Sequence, residues 1–162
     1  MSKHAVLVGH RGWADGRAGS GSQSMIRLND HRLITDFHQL DSTELFCRLN
    51  QLGDDSAFYI SNIATEAVKT ATTLVIATHA PPFAEAALYD NKPSGPDYAA
   101  HFVNVAMGHA ILDLAHRHQD RNFVVLCGHT HHAATYSPAS NVKVKVAGAQ
   151  YHAPAIAEIL HF

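Results

Sequence analysis

The chain has 162 residues, a formal net charge of −2 and 46% hydrophobic residues. This composition excludes an intrinsically disordered chain, which is poor in apolar residues and rich in charge. The near-neutral charge and the lack of a basic block argue against non-specific nucleic-acid binding and against adhesion to anionic membranes. The length predicts one domain, which spans residues 1–162.

The sequence carries no pattern for export or for membrane insertion. The residues after Met1 form too short an apolar run for a secretory signal peptide. No run of about 18 apolar residues predicts a membrane span. The two cysteines are too few for a disulfide framework, so a reducing compartment is expected. Together these features predict a cytoplasmic protein.

Three continuous apolar runs predict β-strands that are buried on both faces of a sheet. Each run is rich in Val, Leu and Ile without polar alternation, which is typical of parallel strands covered on both sides. In chain order the runs span residues 4–9, 73–78 and 122–128. Helical periodicity between them predicts α-helices at 43–52, 56–70 and 101–118. Strands that alternate with helices predict an α/β fold.

The C-terminal part of the chain is predicted to add antiparallel strands. Valines alternate with lysines in its middle, after a turn rich in Ser, Pro and Asn. The pattern predicts a β-hairpin with strands at 133–136 and 142–147, and a last strand at 154–160. Two stretches rich in Gly, Ser and Pro, 16–24 and 90–97, are predicted loops. The expected architecture is a mixed β-sheet with flanking helices on one side.

Each of the three apolar runs ends in a small or hydroxylated residue that is followed by a histidine. These histidines are His10, His79 and His129. Ligands bind at the carboxyl ends of the strands in open α/β sheets, so the three segments are expected to deliver imidazoles to one place. His131 follows His129 by two residues, and in an extended backbone both side chains would point to one side, about 6 to 7 Å apart. This spacing favours a divalent-metal site.

Motifs at these strand ends resemble those of a known enzyme family. Residues 128–131 (GHTH) resemble a motif of the calcineurin-like metallophosphoesterases, and residues 74–83 (LVIATHAPPF) resemble the upstream histidine motif of that family. Residues 8–15 (VGHRGWAD) resemble a further segment that some bacterial and phage-like members contain. The order and spacing of the motifs agree along nearly the whole chain.

The resemblance implies a metal-dependent phosphoester hydrolase with a four-layer αββα sandwich fold. It implies that His79 and His129 bind one metal ion and that His131 binds a second one. The expected cofactors are one or two divalent ions of Mn, Fe, Zn or Ni, and the expected substrate is a small phosphorylated molecule. His10, Arg11 and Asp15 are candidate contacts at the rim of the site. Two alternatives stay open. His10 is either such a contact or a loop residue without a role in the site, and Arg11 either contacts a substrate phosphate or forms an ion pair with Asp15.

The first metal motifs of the family do not occur in this sequence. No GDxH, GDxxD or GNH[DE] pattern supplies the bridging carboxylate or the histidine that protonates the leaving group. The chain is therefore expected to correspond to the C-terminal portion of such an enzyme and to have little or no activity alone. The alternatives are a non-catalytic metal-binding or interaction module, and one half of a split enzyme. A homo-oligomer, or an N-terminal partner chain, is expected to cover the apolar surface that the chain leaves open.

Overall fold

A mixed β-sheet of five strands forms the centre of the computed structural model, which describes residues 4–161. The strands of the chain are β1 (Ala5–Gly9), β2 (Thr73–Ala77), β3 (Leu88–Tyr89), β4 (Lys92–Pro93), β5 (Asn122–Cys127), β6 (Ala134–Ala139) and β7 (Val142–Val146). The helices are α1 (Asp30–Leu33), α2 (Ser42–Ala67), α3 (Pro96–Phe102) and α4 (Val105–Arg117). The sheet order is β1-β2-β5-β7-β6, and only β6 runs antiparallel to its neighbour. This confirms the predicted α/β class and mixed sheet.

Two of the predicted helices are one continuous helix, α2. Its start is a capping box, in which Asp41 accepts from the N–H of Glu44 at 2.9 Å and Glu44 accepts from the N–H of Asp41 at 3.0 Å. The predicted interruption is wrong because Gly53 lies inside the helix, where a Cβ would stand 2.3 Å from the Cβ of Asp15. Neither this helix nor any other within residues 4–161 combines the length and apolar character that a bilayer crossing requires.

The helix that was predicted at 101–118 is two helices, α3 and α4, separated by a buried asparagine. Asn104 caps α4, since its side-chain oxygen accepts from the N–H of Met107 at 2.9 Å. Its side-chain amide donates to the carbonyl of Trp13 at 2.7 Å and to the hydroxyl of Ser56 at 2.9 Å. One side chain therefore starts a helix and ties it to α2 and to the loop after β1.

The main apolar core lies on one face of the sheet. There α2 and α4 pack against alternate residues of β1, β2, β5 and β7. The largest fully buried side chains of this core are Ile60, Val68, Leu74, Ile76, Met107, Ile111, Leu114 and Phe123. Cys127 belongs to the same core, and burial raises the pKa of its thiol to about 12. Both long helices therefore cover the same side of the sheet.

The opposite face of the sheet is only partly covered. Leu7, Val75, Val124 and Leu126 alternate with the core residues along their strands. Val75 is buried, Val124 and Leu126 are half-buried, and Leu7 is 68% exposed. The prediction that all three strands are buried on both faces is therefore wrong for β1 and β5, because the two long helices pack on the other side.

The C-terminal hairpin is confirmed, with a shorter loop than predicted. Strand β6 continues through Pro138 to Ala139, so that only Ser140 and Asn141 connect it to β7. A register shift between Tyr136 and Ala139 accommodates the proline, which cannot donate to the ladder. The two predicted loops, 16–24 and 90–97, contact each other. The hydroxyl of Ser24 donates to the carbonyl of Asp97 at 2.9 Å.

The strand predicted at 154–160 is absent. This segment pairs with no other strand of the described chain. An ion pair between Glu158 and Lys145 of β7 holds it against the sheet. Its apolar side chains Ile156 and Ile159 are exposed. The apolar residues that predicted a strand therefore pack against no other strand within residues 4–161.

Candidate functional site

Sheet pairing brings the strand-end histidines side by side. The N–H of Gly128 donates to the carbonyl of His79 at 2.9 Å, which extends the pairing of β2 with β5 beyond the strands. The N–H of His10 donates to the carbonyl of Ala77 at 3.0 Å, which extends the pairing of β1 with β2 beyond the end of β1. Three segments therefore leave the sheet together at its carboxyl end, the place where α/β sheets bind ligands.

His79 and His129 face one another directly. Nε2 of His79 lies 3.0 Å from Nδ1 of His129, and Nε2 of His129 lies 2.9 Å from the carbonyl oxygen of His101. A carbonyl only accepts, so Nε2 of His129 carries a proton and its Nδ1 offers a lone pair. His79 therefore donates from Nε2 to His129, and a directed chain runs from His79 through His129 to the backbone of α3.

Both histidines of this pair are held neutral. Burial lowers the pKa of His129 to about 4 and also lowers the pKa of His79 from its ordinary value. A protonated His129 would point an N–H at the N–H of His79, which is a repulsive contact. Near pH 7 the pair therefore presents neutral imidazoles, the form that binds metal ions.

Aromatic rings fix the orientation of the pair. The indole of Trp13 stacks on the ring of His79, with centroids 5.1 Å apart and an interplanar angle of 16°. Trp13 also meets the ring of His129 edge-on at 5.0 Å, and Phe102 meets it from another side at 5.5 Å. Because Asn104 holds the carbonyl of Trp13, the indole is anchored from its own backbone.

His131 does not join the pair as the sequence predicted. The expected extended backbone is wrong, because His129 and His131 adopt left-handed conformations with φ of 67° and 61°. The N–H of Thr130 donates to the carbonyl of Gly128 at 2.8 Å and closes a three-residue turn around His129. The ring of His131 instead packs against Tyr151, with centroids 4.7 Å apart. Left-handed non-glycine residues concentrate at functional sites, where the fold holds them in place.

Asp15 lies inside the fold rather than at the rim. It is fully buried, and its carboxylate accepts from the N–H of Ala106 at 2.8 Å near the start of α4. Its ion-pair partner is Arg17 at 3.1 Å, not Arg11. Arg11 is exposed and forms no ion pair within residues 4–161. Its guanidinium is therefore free for a ligand, whereas Asp15 fastens the loop to α4.

A cavity of about 300 Å³ opens beside His79. Its walls come from the loop after β1, the segment around α1 and the middle of α2. The lining residues are His10, Arg11, Trp13, Ile34, Asp36, Phe37, Leu52 and His79. Asp36 pairs with Arg48 at 2.8 Å, so its charge is compensated. Of the candidate contacts, His10 and Arg11 thus reach the cavity wall together with His79.

No family model and no curated protein matches this chain. The sequence motifs singled out the two facing histidines and, within residues 8–15, Trp13, but missed His101 and Asn104. The signal for Trp13 was its place in the loop after β1, four residues beyond the end of that strand. No signal existed for His101, because it contributes a backbone carbonyl, which any residue carries.

A second pair of histidines is buried behind the first. The rings of His31 and His101 lie 5.0 Å apart, and Ser24 Oγ lies 3.1 Å from Nε2 of His101. Burial lowers the pKa of each of these histidines to about 4. With the half-buried His129, three imidazoles are therefore neutral near pH 7.

These buried histidines predict that the protein loses stability in mild acid. The unfolded chain binds protons at these imidazoles below about pH 6.5, whereas the folded chain does so only near pH 4. The free energy of unfolding should therefore be nearly constant between about pH 7 and pH 8 and should fall as the pH drops toward 4, by up to about 1.4 kcal/mol per unit for each histidine. Urea denaturation at pH 7 and at pH 5 measures the difference.

The matched variants for this test are His101→Gln and His116→Gln. His101 is buried and His116 is exposed on α4. His101→Gln should reduce the loss of stability between the two pH values, whereas His116→Gln should leave that loss unchanged. An unfolding free energy that is equal at pH 7 and pH 5 in the unmodified chain would contradict the neutral, enclosed histidines.

Proposed function

We propose that His79 and His129 bind a divalent metal ion and that the protein takes part in metal-dependent phosphoester hydrolysis. The 3.0 Å separation of His79 Nε2 and His129 Nδ1 carries this proposal. Two nitrogens bound at about 2.1 Å to one tetrahedral ion lie about 3.4 Å apart, so the rings would separate slightly on binding, and the proton of His79 would move from Nε2 to Nδ1. The second nitrogen of His129 donates to a carbonyl, as the outer nitrogen of metal-binding histidines usually does.

The residues fit one ion better than two. Within residues 4–161 no group of three or more His, Cys, Asp or Glu side chains is arranged to hold a metal ion. Neutral imidazoles alone would not compensate the repulsion of two adjacent dications. We therefore propose one ion of Mn, Fe, Zn or Ni per chain, with His79 and His129 as ligands; His131, whose ring packs against Tyr151, is not among them. Imidazole suits such first-row metals.

The remaining residues of the site have distinct proposed tasks. Such an ion, when bound, polarises a phosphoryl oxygen as a Lewis acid. The free guanidinium of Arg11 suits the phosphate oxygens, which it can contact through two parallel hydrogen bonds. Trp13 holds the ring of His79, and the apolar cavity wall limits the access of water. The likeness of the GHTH and THAPPF motifs to the metallophosphoesterases supports the same reaction class.

Within residues 4–161, the side chains of the cavity wall are poor general acids for the protonation of a leaving group. Asp36 is the one carboxylate in the cavity wall within residues 4–161, and it pairs with Arg48. Burial and the nearby Arg11 lower the pKa of His10, so it is neutral near pH 7. General acid catalysis contributes about 10² to 10⁴-fold, so we propose slow turnover by this chain alone. A complementary chain that supplies the acid would make it one half of a split enzyme.

Metal loading of the purified chain tests the proposed site. We expect about one zinc or manganese ion per chain by elemental analysis after desalting, as one pair of imidazoles provides. His129→Ala should remove the ion, and His116→Ala, on the exposed face of α4, should retain it.

Slow, metal-dependent hydrolysis of an aryl phosphate, lost in His129→Ala, is the expected activity. Two tightly held ions, or retention of the metal by His129→Ala, would contradict the proposed site. Metal binding with no hydrolysis would leave a non-catalytic metal-binding module.

The free edge of β1 supports a further proposal, that two copies of the chain pair there. The opposite edge, β6, is protected by Pro138 and by a register shift. Strand β1 has no proline and no charged residue, and Leu7 at its centre is 68% exposed. An antiparallel pairing around a two-fold axis at Leu7 brings uncharged residues together and extends the sheet across both copies.

The expected state in solution is therefore a dimer. Light scattering should give about twice the 17.6 kDa mass of the chain. Leu7→Lys adds a charge to the paired edge and should give a monomer, because edge lysines block strand pairing. The control is Leu33→Lys, at a position that is 82% exposed elsewhere on the surface, and it should stay dimeric. An unmodified chain that is monomeric at high concentration would contradict the pairing.

A further inference from the structure

We infer that the cavity beside His79 selects phosphate monoesters whose organic group is a single aromatic ring or a compact apolar group. This inference rests on the proposed function and adds a substrate class to it. Its basis is that a mostly apolar wall and the unpaired cation of Arg11 line the same cavity.

Most of the cavity wall is apolar. The indole of Trp13, the ring of Phe37 and the aliphatic side chains of Ile34 and Leu52 form it. These residues come from three separate segments, and Phe37 contacts Trp13 with ring centroids 5.7 Å apart. An apolar group that enters this space leaves water and contacts carbon atoms, which is favourable in proportion to the area buried.

The charged groups of the cavity favour an anion. The carboxylate of Asp36 is compensated by Arg48, which leaves Arg11 as the unpaired charge of the wall within residues 4–161. Arg11 follows His10 in the loop after β1, and His79 lies in the same wall. The anionic end of a ligand is therefore expected at Arg11, and its organic group against the apolar side chains of the same wall.

The size and polarity of the cavity narrow the organic group. About 300 Å³ is at the low end for ligand pockets and suits one ring rather than a nucleotide. The hydroxyl groups of a sugar phosphate would lose their hydrogen bonds to water against an apolar wall, which costs free energy. The cavity therefore discriminates between monoesters of similar size by the polarity of the organic group.

The fluorescence of Trp13 reports binding directly, because it is the one tryptophan of the chain and lines the cavity. Phenyl phosphate, inorganic phosphate, glucose 6-phosphate and benzyl alcohol are titrated without added metal. Phenyl phosphate should bind at least about tenfold more tightly than each of the other three, since only it combines a buried ring with an anion. Equal affinity for phenyl phosphate and inorganic phosphate, equal affinity for glucose 6-phosphate, or no binding of phenyl phosphate would overturn the inference.

Two variants separate the contributions of charge and apolar wall. Arg11→Met should weaken phenyl phosphate about tenfold and leave benzyl alcohol unchanged, because it removes only the charged contact. Leu52→Asn should bring the affinity for phenyl phosphate close to that for inorganic phosphate. The controls Arg32→Met and Leu33→Asn change exposed residues outside the cavity and should have no effect. Unchanged affinities in both Arg11→Met and Leu52→Asn would overturn the inference.

The titration also separates this inference from the proposed function. Selective binding of phenyl phosphate by a chain that neither binds metal nor hydrolyses it would contradict the proposed function and support the selectivity of the cavity. Metal-dependent hydrolysis of phenyl phosphate and glucose 6-phosphate with equal kcat/KM would support the function and overturn the selectivity.

Discussion

The parallel pairing of β2 with β5 holds His79 beside His129, and the arrangement of the site depends on this contact. The pairing continues beyond both strands, through the hydrogen bond from Gly128 to the carbonyl of His79. The 3.0 Å contact between the two imidazoles thus depends on the sheet register together with the turn that closes around His129.

Buried polar side chains brace the site from behind. Asn104 links the loop after β1 to both long helices. The carboxylate of Asp15 accepts from a backbone N–H at the start of α4. The side-chain amide of Asn50 donates to the backbone carbonyl of Asp15 at 2.6 Å. Each of these groups is enclosed, so the loss of one partner would leave an unsatisfied polar atom, which costs about 1 to 3 kcal/mol. The loop that carries Arg11 and Trp13 is therefore fixed by the fold itself.

The sequence allowed the strands and the facing histidines to be predicted because their signals are local. A continuous apolar run followed by histidine needs no knowledge of distant contacts. The predictions of the helix boundaries failed at two positions that make distant contacts. Gly53 lies inside α2, at a point where Asp15 packs closely against it. Asn104 separates α3 from α4 and bonds to Trp13 and Ser56. The cavity wall was equally beyond prediction, since Ile34, Phe37 and Leu52 come from segments whose apolar residues predict only a core.

The most direct test of the account is the protonation state of His129, measured by nitrogen NMR of the imidazole rings at pH 6. The hydrogen bonds predict a neutral His129 with its proton on Nε2 and a lone pair on Nδ1, because the carbonyl of His101 accepts from Nε2. Added zinc should shift Nδ1 of His129 and Nε2 of His79 while the Nε2 proton of His129 is retained. A His129 that is protonated on Nδ1, or that keeps both nitrogen shifts when zinc is added, would contradict the account.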